Sequence, residues 1–123
     1  MKVVLSIKPE FAQQIFEGTK RFEIRRLLFK NKDVSKIVVY ASAPISKVIG
    51  EFEVENIIQK ELEELWQETK NFSGITKDYF DQYFTGKEEG FAIAVKNPNL
   101  YKKPQNIKEK YGMVAPQSFA YMR

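Results

Sequence analysis

The side chains best suited to chemistry sit close together in Gly18-Thr19-Lys20-Arg21-Phe22-Glu23-Ile24-Arg25-Arg26. Phe22 and Ile24 alternate strictly with Arg21, Glu23 and Arg25, which reads as a strand with Glu23 and Arg25 on one face. Lys20 stands just before it, at a helix–strand turn. One reading of this stretch is a solvated strand face with cross-strand ion pairs. The other is a cationic pocket in which Arg25 offers a planar donor fork to a phosphate or a base edge. Glu23 would then orient Arg25 or accept from an amino group on a ligand, with Arg26 adding positive charge.

Three further groups bear on the same chemistry. Ser6 lies in the first strand and Lys8 follows it. If that strand lies beside residues 21–25, Lys8 reaches the same pocket; otherwise it ends the strand in water. Ser42 follows a central strand, where its hydroxyl binds a ligand or holds the turn. Pro116 fixes the chain just before Gln117, Ser118 and Phe119. This is either an edge strand with Phe119 and Tyr121 in the core, or a place where Gln117 and Ser118 meet a ligand.

Composition narrows the mechanism. The chain has 123 residues, no cysteine and no histidine. Disulfides, iron–sulfur clusters, cysteine-based zinc sites and histidine-dependent nucleophilic catalysis are therefore excluded. No acidic cluster suggests a carboxylate metal site, and no cofactor is expected. A general base would have to be Lys20 with a lowered pKa or Glu23 with a raised one. Like charge from Arg25 would lower Lys20, and Glu23 would oppose it. The net charge of +4 and pI near 9.2 permit a nucleic-acid partner without requiring one. No apolar run approaches the ~20 residues of a membrane span, and Lys8 and Pro9 arrive too early for a signal peptide. The expectation is a soluble cytoplasmic protein with no membrane partner.

The elements that must position these residues are legible in outline. Val3 to Ile7 is a short apolar strand. Pro9 starts a helix through Phe11, Ala12, Ile15 and Phe16, and Gly18 stops it. Residues 36–41 form a strong central strand, joined by Ser42-Ala43-Pro44-Ile45-Ser46 to a run over 47–54, in which Gly50 marks a bulge or corner. Residues 61–85 carry Leu62, Leu65, Trp66, Phe72, Tyr79, Phe80, Tyr83 and Phe84 at helical spacing, broken at Ser73-Gly74, with Thr76 as an N-cap. These aromatics read as core rather than as platforms for stacked bases. Phe91 to Val95 is a strand, Leu100-Tyr101 a further short one, and residues 114–121 close the chain. The spacing predicts a single α+β domain over residues 1–123. Its centre is a small, mostly antiparallel β-barrel, with a short helix after the first strand and a two-helix insert over about 60–86.

Taken together, Ser6-Ile7-Lys8-Pro9, the G-x-K-x-x-E-x-R element from Gly18 to Arg25, Tyr40-Ala41-Ser42-x-Pro44, Gly50-Glu51-Phe52 and Pro116-Gln117-Ser118-Phe119 resemble an ASCH domain, a family of the PUA-like superfamily. The resemblance implies a β-barrel with a cleft bordered by the first helix and lined by the G-x-K-x-x-E-x-R element. It implies binding of RNA or of a nucleotide or nucleoside. Some members similar at this element are acetylcytidine amidohydrolases that use a lysine, a threonine and a glutamate. Lys20 matches that lysine, Glu23 stands in the threonine's place, and Glu68 is the nearest acid to the glutamate's. Other members are ribonucleases. The leading expectation is an RNA- or nucleotide-binding protein. The alternatives are a small hydrolase acting on a modified nucleoside or on RNA through Lys20 and Glu23, and a regulatory interaction domain using the helical insert.

Overall fold

The first strand is apolar at consecutive positions because both of its faces are covered. In the computed structural model, which describes residues 1–122, Val3, Leu5 and Ile7 pack with Ile37 and Val39 against Ala12 and Ile15. Val4 and Val38 face the other way, against Val48 and Ile107. Continuous apolar runs are what doubly covered strands require.

The chain runs β1 (Lys2–Ile7), α1 (Pro9–Glu17), β2 (Phe22–Arg25), β3 (Lys36–Ala41), β4 (Lys47–Glu61), α2 (Leu62–Thr69), α3 (Lys77–Tyr83), β5 (Glu89–Gln105), α4 (Ile107–Tyr111) and β6 (Phe119–Met122). The strands form one six-stranded sheet in the order β2-β5-β4-β3-β1-β6. β1 pairs with β3 in parallel, and the other four pairings are antiparallel. Mixed α+β architecture with a mostly antiparallel sheet agrees with the sequence reading.

Three expectations need correction. The sheet is not closed into a barrel: β2 and β6 are its two edges, and each is only four residues long. A side chain spans the gap instead, since Arg25 at the end of β2 bonds to Ser118 just before β6. The first strand does not lie beside residues 21–25, but between β3 and β6. The run through Leu100-Tyr101 is no separate strand, because β5 continues from Glu89 to Gln105.

The short elements end where their chemistry says. Pro9 opens α1, and Gly18 closes it in a left-handed conformation at φ 88°. Thr76 caps α3 by accepting from the Tyr79 amide at 3.1 Å. Beside Gly50 the pairing with β3 shifts, and Ile49 is the extra residue of a bulge there; the pairing with β5 shifts at the same place, with the extra residues on β5. α2 and α3 bring Leu65, Phe80 and Phe84 onto Ile24, Ile58 and Ala92. That contact fixes α3 over the end of β2.

Candidate functional site

Lys20 is driven inward by the turn that precedes it. After Gly18, the amides of Thr19 and Lys20 both donate to the Gln14 carbonyl at 3.1 Å, and the Lys20 side chain is left only 2% exposed. Its ammonium donates to the Ser73 carbonyl in the α2–α3 connection. It lies 5.1 Å from the centre of the Phe11 ring and 3.7 Å from Glu23 Oε1. Burial lowers the Lys20 pKa, and the Glu23 carboxylate works against that lowering. The sequence reading assigned this lowering to Arg25; desolvation is the cause.

Glu23 and Arg25 alternate along β2 and both are buried, so the solvated-face reading of this strand does not hold. Arg25 Nη1 donates to Glu23 Oε2 at 3.2 Å and to the Ser6 carbonyl at 3.3 Å. Its Nη2 donates to Ser118 Oγ at 2.6 Å and to the Ser118 carbonyl at 3.3 Å. The donor fork expected to meet a ligand is therefore engaged by the protein itself. Ser6 adds a second tie, its hydroxyl donating to the Pro116 carbonyl at 2.5 Å. Arg25 and Ser6 together hold Ser118 against β1 and β2.

These groups line a cavity of about 660 Å³ at the carboxyl ends of β1 and β3. Its wall brings together all nine residues singled out from the sequence: Ser6, Lys8 and Ser42, then Lys20, Glu23, Arg25 and Arg26, then Gln117 and Ser118. Lys8, Arg26 and Gln117 are exposed at its rim. Lys8 reaches it from the end of β1, although β1 and β2 are not neighbours in the sheet.

The sequence reading missed the aromatic wall. Phe11, Tyr79 and Tyr83 line the cavity, and Lys87 joins its rim. Tyr79 and Tyr83 lie nearly parallel, with centroids 6.3 Å apart and planes at 17°. The Phe11 ring meets Tyr79 edge-on at 5.5 Å. The Tyr79 hydroxyl accepts from Lys8 Nζ at 3.3 Å, and the Tyr83 hydroxyl accepts from the Arg26 amide at 3.1 Å. Burial raises the Tyr83 pKa; the Arg25 charge and the Arg26 amide oppose it. The helical aromatic stripe thus divides between two faces of α3. Phe80 and Phe84 are 1% exposed in the core, whereas the tyrosines one position earlier face the cavity. Tyrosine at 79 and 83 against phenylalanine at 80 and 84 was the available signal. Tyr121, expected in the core, is 40% exposed.

The threonine–lysine–glutamate set of the amidohydrolase alternative is not assembled. Glu23 occupies the hydroxyl's position, and Glu68 faces away from the cavity to pair with Lys60 at 2.9 Å. On the insert, residues 61–85, Phe72 is the one large apolar side chain exposed, and Arg21 lies over its ring at 4.6 Å. The interaction-domain alternative called for a conspicuous apolar patch there. Among the described residues, no group of three or more acidic side chains could hold a metal ion. Among the same residues, no helix is long and apolar enough to cross a membrane.

Comparison with known proteins agrees with this architecture. The chain is 28% identical over 126 residues to an ASCH domain-containing ribonuclease of Zymomonas mobilis, covering 99% of this chain and 84% of that protein. The crystal structure of ASCH from Zymomonas mobilis superposes with a TM-score of 0.91, at 28% identity, over 99% of this chain and 87% of that one. A large ribosomal subunit protein uL22 of Ureaplasma parvum is 26% identical over 121 residues. The chain spans only 39% of that protein's length. The ASCH domain model matches residues 5–117, a span that takes in the cavity wall except Ser118, and the chain belongs to the ASCH domain family.

Proposed function

We propose that this ASCH protein binds RNA, taking one or a few unpaired nucleotides into the cleft. The observation that carries the reading is the arrangement of the cavity. Lys8, Arg26 and Lys87 are exposed around its mouth, and none is in an ion pair among the described residues. Tyr79 and Tyr83 form an aromatic wall behind them. Free cations at the mouth suit phosphates, which supply affinity. An aromatic wall suits an unstacked base. Inside, Glu23 is an acceptor for an amino group, and Ser42 and Ser118, with Gln117 at the rim, are short-range readers of a base edge or a ribose hydroxyl. Arg25 acts at one remove, by positioning Glu23 and Ser118. The ribonuclease relative supports RNA as the ligand.

The test is a thermal-shift series with nucleosides, nucleotides and short single-stranded RNAs at two salt concentrations. A ligand at a hundred times its dissociation constant stabilises a fold by about 2.7 kcal/mol. The expected result is a shift with RNA that shrinks with salt, and shrinks further in Lys8→Gln/Arg26→Gln, whose replaced side chains are both exposed. A shift with no RNA, or one indifferent to the double substitution, would contradict the reading.

A second reading is that the bound RNA is cut. Two observations favour it: the ribonuclease relative and the burial-lowered pKa of Lys20. A neutral Lys20 would take the proton of a ribose 2′-hydroxyl as that oxygen bonds to the adjacent phosphorus. The bond from phosphorus to the 5′-oxygen breaks, and that oxygen leaves with a proton from water. Cleavage of labelled RNA should then rise with pH until Lys20 is neutral, and be lost in Lys20→Met. Equal cleavage by Lys20→Met would remove this mechanism and leave binding standing.

A further inference from the structure

Outside the cleft, one run of the chain is strongly basic. Residues 101–113 carry Lys102, Lys103, Lys108 and Lys110 against Glu109 alone, so three of the chain's net charge of +4 lies in thirteen residues. All four lysines are exposed, and none is in an ion pair among the described residues.

The chain holds them on a fastened ridge. Val48 pairs with Gln105 and Gly50 with Leu100, so residues 101–104 of β5 stand opposite Ile49 alone and bulge outward. The Tyr101 hydroxyl donates to Glu51 Oε1 at 2.7 Å, behind Lys102 and Lys103. α4 is seated by Ile107 on Val4, Val38 and Val48. The Tyr111 hydroxyl donates to Gln105 Oε1 at 2.6 Å and ties the end of α4 to the end of β5.

The ridge also adjoins the cleft. The segment from Gly112 to Pro116 leads directly from α4 to Gln117 and Ser118 in the cavity wall. Gln117 is six residues on from Tyr111, a reach of at most about 20 Å, which a few nucleotides of extended strand can cover. Acidic residues gather elsewhere: Glu61, Glu63, Glu88 and Glu89 border a hollow where β4 passes into α2 and β5 begins, which meets the cleft rim at Lys87.

We propose that the ridge of Lys102, Lys103, Lys108 and Lys110 is a second RNA contact, which grips the phosphates of the strand continuing out of the cleft. The proposal rests on the reading of the cleft as an RNA site and extends it from a nucleotide to a polynucleotide. Lysines supply point charges for phosphates without reading sequence, so the ridge adds affinity and length dependence. Leu100 and Val114 are also exposed beside it, which makes an anionic membrane the competing occupant. Continuity with the cleft favours RNA.

The experiment measures binding of a labelled tetranucleotide and of a single strand of about 16 nucleotides by fluorescence anisotropy across a salt series. It compares the wild type, the ridge variant Lys102→Gln/Lys103→Gln/Lys108→Gln/Lys110→Gln and the cleft variant Lys8→Gln/Arg26→Gln. Vesicles of equal parts phosphatidylcholine and phosphatidylserine form a parallel arm, and thermal unfolding checks that each variant is folded. The ridge variant should bind the long strand about tenfold more weakly or worse, with a salt slope shallower by about two to three. It should bind the tetranucleotide as the wild type does. An unchanged long-strand affinity and slope would overturn the ridge and leave the cleft reading intact. Tetranucleotide binding indifferent to the cleft variant, with long-strand binding still lost in the ridge variant, would overturn the cleft reading alone. No RNA binding by the wild type overturns both, and ridge-dependent vesicle binding in that case assigns the ridge to membranes.

Discussion

Glu23 is the one carboxylate shared by two buried cations, at 3.7 Å from Lys20 and 3.2 Å from Arg25. The three side chains are consequently unequal in what their loss does. Glu23→Gln leaves two buried positive charges without a counter-ion, and should cost about 3–5 kcal/mol. Lys20→Met removes a cation while Glu23 keeps Arg25, so it should cost clearly less. Urea unfolding of both variants checks the order, and equal losses would contradict it. The Lys20 pKa lies below its ordinary 10.5 in the folded state because of burial. Between the folded value and 10.5 the unfolded chain therefore holds more protons, and stability rises with pH in that window. Tyr83 and Tyr101 are both raised above their ordinary 10.0, and act in the opposite direction only from about pH 10 upward. Unfolding from about pH 7 to 10 should show the wild type gaining stability relative to Lys20→Met; parallel curves would contradict the assignment. Which residues gather was legible in the sequence, because G-x-K-x-x-E-x-R compresses a turn, a strand and three charges into a few positions. Their burial was not, because it depends on Ser73, Phe11 and Ser118, which lie far away in the chain.

At the scale of elements, α3 is a lever between core and cleft. Phe80 and Phe84 anchor it inward while Tyr79 and Tyr83 face the cavity. Gly90 of β5 leaves the space that this anchor needs. A Cβ there would come within 2.5 Å of Phe84 Cζ and 2.9 Å of Leu65 Cδ2. Gly90→Ala should therefore destabilise the fold by about 1–3 kcal/mol and weaken ligand binding by shifting the tyrosines, although position 90 does not line the cavity. Thermal unfolding and RNA titration of this variant check both; wild-type values in both would show that α3 is not so constrained. Helix α1 could be read from Pro9 and Gly18, and α3 from Thr76, because caps are local chemistry. The lengths of β4 and β5 could not, since Glu55, Asn56 and Gln59 are exposed on the outer half of β4 and break the alternation. Helix α4 has five residues, too few to show a period. The missing barrel closure was equally invisible, because whether β2 meets β6 is settled by two strand ends and one guanidinium rather than by any local pattern.

Over the whole molecule, charge is arranged by position more than by amount. A net charge of +4 is modest, yet unpaired cations line the cleft mouth and the neighbouring ridge, while Glu61, Glu63, Glu88 and Glu89 lie together around a hollow that meets the mouth at Lys87. Such an arrangement orients a polyanion before contact, through a field that salt screens. Composition could give the sign of this effect and not its direction, because the sheet order decides which lysines become neighbours. The central claim is that the cavity between α1, α3 and the carboxyl ends of β1 and β3 is where RNA binds. The most direct measurement is an NMR titration of the ¹⁵N-labelled protein with a short single-stranded RNA, read as amide shift changes along the chain. The expected changes cluster at residues 6–8, 20–26, 42, 79–87 and 117–118. Changes confined to residues 61–63 and 88–89, or none at saturating RNA, would contradict it.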